Sequence, residues 1–308
     1  MSTPLVHARG LTKRFGALTA VDRLDLDLHG GEVLGFLGPN GAGKTTTLRM
    51  LLGLTRPTAG TATLFGHDAW SQPVPAHQHV GYLPAEFALH ANLTGRANLE
   101  HLRRLRGAPS QSYRHRAGEL AERLDADLDR PLHTLSSGNK RKVGIIAALV
   151  HTPRLAVLDE PISGLDPLVQ KEFHAIVGEL RAAGTGVLLS SHALPEVERV
   201  ADRVAIMRSG RLVACERTDV LLGKAVLRFE VTFPDPAEAV SFLQRSEQLA
   251  TVSCLAREDA VVRFAVEGAI TEVVSVLGAH RVLALRTPEA ELEDVFLRYY
   301  SPMTEELR

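Results

Sequence analysis

Eight consecutive residues, Gly38, Pro39, Asn40, Gly41, Ala42, Gly43, Lys44 and Thr45, carry the spacing GxxxxGK[ST] and constrain this chain more than any other feature. Ahead of them residues 32–38 read EVLGFLG, a nearly continuous apolar run of the kind a strand buried on both faces requires. Behind them Leu48, Leu51 and Leu52 fall at i, i+3 and i+4, so a helix begins around Gly43. In such a strand–turn–helix the glycines let backbone N–H groups curl around phosphate oxygens, and the helix N-terminus adds positive potential. Lys44 supplies a point charge to the β- and γ-phosphates, and the Thr45 hydroxyl is a candidate Mg²⁺ ligand. At ordinary glycine and lysine frequencies, an accidental match in a chain this long is about a 1% event. Gly38 through Thr46 form the candidate nucleotide-binding segment.

The surrounding pattern predicts an α/β domain. Residues 21–28, VDRLDLDL, set Leu24, Leu26 and Leu28 on one side and Asp25 and Asp27 on the other, the period of a half-buried antiparallel strand. Further strands are predicted at 61–65, 79–83, 155–158, 186–190 and 203–208. Residues 94–150 are mostly helical and interrupt the alternation, which predicts an inserted helical subdomain over about 86–150. Asp166 followed by Pro167 is an N-cap with proline at N1, and Val169, Phe173, Ile176, Val177 and Leu180 continue one helical stripe. Strands alternating with helices imply a parallel sheet.

Charge divides the chain. From residue 225 onward there are 8 Arg and no Lys against 14 Asp and Glu, a net of −6, while the remainder is +5. The asymmetry supports a boundary near Gly223, with domains over 1–223 and 224–308, and a mildly positive first domain suits a polyanionic ligand. In the second part Leu227, Phe229, Val231 and Phe233 alternate with polar residues, a strand. A helix over about 236–248, strands near 250–255 and 260–266, a helix carrying Ile270, Val273, Val274 and Leu277, and a strand at 281–285 follow. That order, βαββαβ, is the ferredoxin-like arrangement of a small α+β accessory domain. Leu292, Val295, Phe296 and Tyr299 predict a last helix.

Residues 155–160, LAVLDE, are an apolar strand ending in two acids. Downstream of a phosphate-binding loop, Asp159 is placed to hold Mg²⁺ and Glu160 to polarise an attacking water, which points to hydrolysis. With Leu135, Ser136, Ser137, Gly138, Asn139 and Lys140, similar to the LSGGQ signature, the chain over about residues 5–220 resembles the ATP-binding cassette (ABC) transporter ATPases. The signature precedes the acid pair by a short helix expected over 142–150, and Ser163, Gly164, Leu165, Asp166 and then His192 follow in the family's order.

The resemblance implies an antiparallel β-subdomain, a P-loop core and a helical signature subdomain. Two copies, identical or paired, would close head to tail around two ATP molecules. Ser136 and Gly138 of one would meet the γ-phosphate held by Lys44 of the other, with Asp166 crossing the interface. His192 would bridge Glu160, water and the γ-phosphate, and Phe15 would stack on adenine. There are two departures. Ala85 stands where the family usually has a glutamine that touches Mg²⁺ and water, and a continued strand pleat would aim Glu86 away, so the metal would keep an extra water. Ser137 and Asn139 replace glycine and glutamine in the signature, with slower turnover expected from an active site.

Composition narrows the function classes. With 35 Lys and Arg against 36 Asp and Glu, nothing advertises nucleic-acid binding, and Cys215 and Cys254 without a CxxC exclude a disulfide framework or zinc ribbon. The N-terminus lacks a secretory h-region, and the longest strongly apolar run, residues 145–150, is far short of a bilayer span. For a chain that resembles ABC transporter ATPases, this implies a peripheral protein on the cytoplasmic face of the membrane, bound to integral membrane permease subunits. The segments SGLDPLVQ and ELEDVFLRYY are similar to ATPases of bacterial drug, antibiotic and lipid exporters. An importer ATPase is the second reading. An ABC ATPase acting on nucleic acid or the ribosome is disfavoured by the single motif set and the acidic C-terminal part.

Overall fold

The computed structural model describes residues 3–86, 89–222, 227–246, 249, 251–266 and 270–287. The chain divides into two compact units, residues 1–216 and 217–308. The boundary expected at Gly223 and the last expected helix lie outside the described residues.

The first unit opens with an antiparallel ribbon, β1 (Val6–Phe15) and β2 (Leu18–Leu28). Leu24, Leu26 and Leu28 are buried and Asp25 is exposed, as the alternation requires. Then come β3 (Val33–Leu37), α1 (Lys44–Leu51), β4 (Ala59–Leu64), β5 (His67–Asp68), α2 (Pro73–His77) and β6 (Val80–Leu83). Helices α3 (Gly95–Arg106), α4 (Ser110–Arg123) and α5 (Ser137–Leu149), with a 3-10 turn at Leu132–Thr134, separate β6 from β7 (Leu155–Asp159). The unit continues with α6 (Pro167–Ala182), β8 (Gly186–Ser191), α7 (Leu194–Glu198), β9 (Arg203–Arg208) and β10 (Arg211–Arg217).

Two sheets result, β2-β1-β4-β5 and β10-β9-β3-β8-β7-β6. In the second, β3 lies between β8 and β9 in parallel register, and all five of its residues are buried, which is why the sequence there is an unbroken apolar run. The expected short helix over 142–150 in fact starts at Ser137. Ser136 caps it by accepting a hydrogen bond from the Asn139 N–H at 3.2 Å, so helical backbone runs from the signature itself. Helix α5 lies so close on β6 that Gly81 leaves no room for a Cβ against the Ala148 carbonyl. Arg123 of α4 ties the insertion to α6, donating to Glu172 at 2.5 Å and to both oxygens of Glu179 at 2.7 Å.

The second unit holds α8 (Thr218–Leu222), β11 (Leu227–Thr232), α9 (Pro236–Ser246), β12 (Val252–Glu258), β13 (Val261–Val266), α10 (Thr271–Gly278) and β14 (Ala284–Arg286). Its strands order as β12-β13-β11-β14, and the observed pairs, β11–β13, β11–β14 and β12–β13, are antiparallel, the split βαββαβ topology. Phe229, Phe233, Phe242 and Phe264 form its core, with Phe242 and Phe264 centroids 5.3 Å apart. Among the described residues no helix is long and apolar enough to cross a membrane.

Candidate nucleotide site

Strand β3 delivers the chain to the loop at 38–43, and Gly43 turns it into α1. Gly43 sits at φ 103, and a Cβ there would fall 2.5 Å from the Ala20 carbonyl oxygen. Only glycine meets both conditions. The first-turn N–H groups of α1, which have no acceptor within the helix, are thereby left at the rim of a cleft of about 820 Å³. Pro39, Asn40, Gly41, Gly43, Lys44, Thr45 and Thr46 line it. Gly38 and Ala42 form the loop's backing, where a Cβ on Gly38 would meet the Met207 carbonyl oxygen at 2.7 Å. At the other end of the cleft Phe15 is 52% exposed beside Leu18, with Lys13 Nζ 4.9 Å over its ring.

Lys44 is buried and donates to the Gly38 carbonyl at 2.5 Å, with Glu160 Oε1 at 3.6 Å. Burial pushes its ammonium below the ordinary lysine range, opposed by Glu160 and Asp159. Strand β7 carries the two acids to its carboxyl end. Asp159, fully buried, accepts from Thr45 Oγ1 at 2.9 Å and from the Ser190 hydroxyl. Glu160 follows at φ 52, the left-handed region that side chains rarely adopt, so the strand ends in a sharp turn. Its N–H donates to Ser190 Oγ at 3.1 Å, and its carboxylate receives His192 Nδ1 at 2.6 Å. The turn aims Glu160 into the cleft while Asp159 stays behind Thr45. Adjacent strand-end acids thus reach two different places.

An oxygen set of one hydroxyl and one carboxylate, turned toward a phosphate-binding loop, fits a hard divalent cation such as Mg²⁺. Among the described residues no group of three His, Cys, Asp or Glu is gathered, so a cation here would complete its shell with phosphate and water oxygens.

Ser136, Gly138 and Asp166 are not in this cleft. They line a second, open hollow of about 680 Å³ with Asp127, Arg130 and Lys142, and the two hollows share no lining residue. Asp166 caps α6 through the Val169 N–H at 3.0 Å, which holds its carboxyl below the usual carboxylate range. A Cβ on Gly138 would meet the Gly164 carbonyl oxygen at 2.8 Å, so glycine is required there, whereas Ser137 begins the helix and is absent from the positive-φ residues. Asn139 is committed to the Asp127 backbone, accepting at 3.1 Å and donating at 3.4 Å.

The expectation for Glu86 rested on a continued pleat, but β6 stops at Leu83, ahead of Pro84. Ala85 lines the cleft and Glu86 is exposed outside it, so Glu86 does lie away from the site, but because the strand has ended and not because its pleat continues. Sequence reading missed Ser190 and Arg141. Ser190 reaches Asp159 only through the pairing of β7 with β8. Arg141 fills the space beside Ala85, and the one available signal was a basic run, Lys140–Lys142, just inside the signature helix.

This combination defines a P-loop ATPase in which Lys44, Glu160 and His192 share one cleft. The ABC transporter family model matches residues 21–163. The chain is 42% identical over 234 residues to the daunorubicin/doxorubicin resistance ATP-binding protein DrrA of Streptomyces peucetius, covering 74% of this chain and 71% of that one. It is 36% identical over 302 residues to Nod factor export ATP-binding protein I of Burkholderia lata, covering 95% and 96%. A solved ATP-binding subunit of an ABC transporter superposes with a TM-score of 0.66 at 30% identity, over 70% of this chain and 91% of that one. The chain belongs to the ABC transporter ATP-binding family, whose members bind and hydrolyse ATP.

Proposed function

We propose that this chain is the ATPase subunit that powers export of a drug-, antibiotic- or lipid-like substrate through separate membrane permease subunits at the cytoplasmic face of the membrane. Drug resistance in one relative and Nod factor export in another support the outward direction. The observation that carries the catalytic part is the Glu160 carboxylate, held by His192 at 2.6 Å and standing 3.6 Å from Lys44 at the phosphate end of the cleft.

Glu160 is the group placed to orient a water for in-line attack on the γ-phosphorus. As the new P–O bond forms, the bond to the β–γ bridging oxygen breaks, giving ADP and phosphate. Glu160 takes the water's proton, and His192 fixes the carboxylate's direction. Lys44 balances charge on the β- and γ-phosphates, and Phe15 offers the base a stacking face. Thr45 and Asp159 would hold Mg²⁺, which when bound neutralises phosphate charge.

That Ser136, Gly138 and Asp166 lie in a separate hollow supports the reading that one copy carries two halves of different sites. In this reading a second copy supplies the other half, two ATP molecules are enclosed, and ATP occupancy is linked to dimer stability. Hydrolysis removes the shared γ-phosphate contacts and lets the halves part, which moves the permease. The excess negative charge of the C-terminal part disfavours nucleic acid as partner. Glu160→Gln with saturating ATP and Mg²⁺ should run as a dimer on gel filtration, and a monomer there would contradict the two-copy site. Affinity purification from detergent-solubilised membranes should retain a multi-span protein that stimulates ATP turnover.

A further inference from the structure

Among the described residues Arg141 is the one arginine lining the nucleotide cleft. It stands on the second turn of α5, and its guanidinium donates to the Pro84 carbonyl at 3.0 Å and the Ala85 carbonyl at 2.7 Å. Both oxygens belong to the stretch that leaves β6 for the helical insertion. Among the described residues no carboxylate stands within ion-pair distance of it, although burial opposes its charge, and the acids that favour it from farther off are Asp159 and Glu160. Ala85 leaves β6 just beyond Leu83, which pairs with Leu158 next to those two acids, so Arg141 lies toward the terminal-phosphate end, away from Phe15 and Leu18. Position 85 itself has no polar side chain. A guanidinium spends two donors on the loop carbonyls and keeps three, in a fixed planar fork suited to phosphate. A half-buried cation without a counter-ion, opening onto a phosphate-binding cleft, is poised for an anion that arrives with the ligand.

We propose that Arg141 senses the terminal phosphate of a nucleoside triphosphate bound to its own chain and, through the Pro84 and Ala85 carbonyls, sets the loop by which the sheet enters the helical insertion. A triphosphate satisfies the remaining donors and draws the loop toward the cleft. A diphosphate leaves them unsatisfied and the loop released. The inference rests on the cleft being the nucleotide site.

The test is calorimetric titration of the full chain with AMP-PNP and with ADP, each with Mg²⁺. Arg141→Ala should weaken AMP-PNP binding about tenfold, the scale of one charge-assisted hydrogen bond, and change ADP binding less than twofold. Arg141→Lys should recover part of the loss. Equal weakening of both nucleotides, or of neither, overturns the proposal and leaves the cleft assignment standing. Wild-type protein that binds neither nucleotide overturns the cleft assignment itself, and this inference with it. Should the alanine variant fail to fold, amide hydrogen exchange at residues 85 and 86 of the wild type decides. AMP-PNP should slow it relative to ADP, and identical exchange in the two complexes refutes the sensor.

Discussion

Replacing Ser190 by alanine removes one hydroxyl from the middle of the larger sheet of the first unit. That hydroxyl donates to Asp159 and accepts the Glu160 N–H at 3.1 Å, and Ser190 and Asp159 are both fully buried. A hydrogen bond to a charged group contributes about 1.5–3 kcal/mol, and alanine leaves a buried carboxylate oxygen short of a donor. The shape change is a single oxygen atom, so no cavity term of consequence is added. Taking about 2 kcal/mol, and about 2–4 °C per kcal/mol for a domain of this size, Ser190→Ala should lower Tm by roughly 4–8 °C. The catalytic effect has a separate cause. The Glu160 N–H keeps only its 3.2 Å bond to the Ser190 carbonyl, so the left-handed turn loses one of the two acceptors that hold that N–H. The kcat for ATP hydrolysis should fall about tenfold while KM changes little, because the phosphate-binding loop is untouched. Scanning calorimetry and steady-state ATPase assays read the two effects. A Tm within 1 °C of wild type together with an unchanged kcat would refute the claim that this hydroxyl joins the two acids.

Gly43→Ala forces a Cβ to 2.5 Å from the Ala20 carbonyl oxygen at a positive φ, a cost of about 1–3 kcal/mol, and equilibrium dialysis should show ATP binding weakened by at least tenfold. Glu100 is held well below the ordinary carboxylate range, to about 2, first by Arg103 and then by Arg114 and Arg104. Its folded value is depressed, so the tie it makes between α3 and α4 is fully present above pH about 4.5 and is lost as pH falls through about 2. Carboxyl NMR titration should give that low midpoint and show it rising in Arg103→Ala. A midpoint near 4.5 in the wild type would refute the ion-pair cluster.

The parts legible in the sequence are those whose causes are local. The apolar run before the glycine loop, the LDLDL alternation and the Asp166–Pro167 cap each follow from neighbours within a few residues. Strand β1 escaped because its alternation breaks at Gly10, where φ is 55 and the pairing with both β2 and β4 shifts register. Edge strand β10, RLVACER, carries charge at both ends and gave too weak a pattern. In the site, Lys44, Thr45, Asp159 and Glu160 could be named from spacing. The roles of the two acids could be assigned from their order after the phosphate-binding loop, but not what separates them, the φ of Glu160 and the hydroxyl of Ser190, which arrives from 31 residues away. Arg141 was hidden for the same reason. Its partners, Pro84 and Ala85, lie on the far side of the insertion.

Strands β6 and β7 are parallel neighbours, so the chain between them must cross back over the sheet, and α5, packed on β6, leads it into β7. Residues 89–131 are then surplus length in a connection that topology already demanded. Extra length in a closed connection raises the entropy cost only logarithmically. Such a segment is free to change in length and sequence while strand order, and the site at the strand ends, is kept untouched.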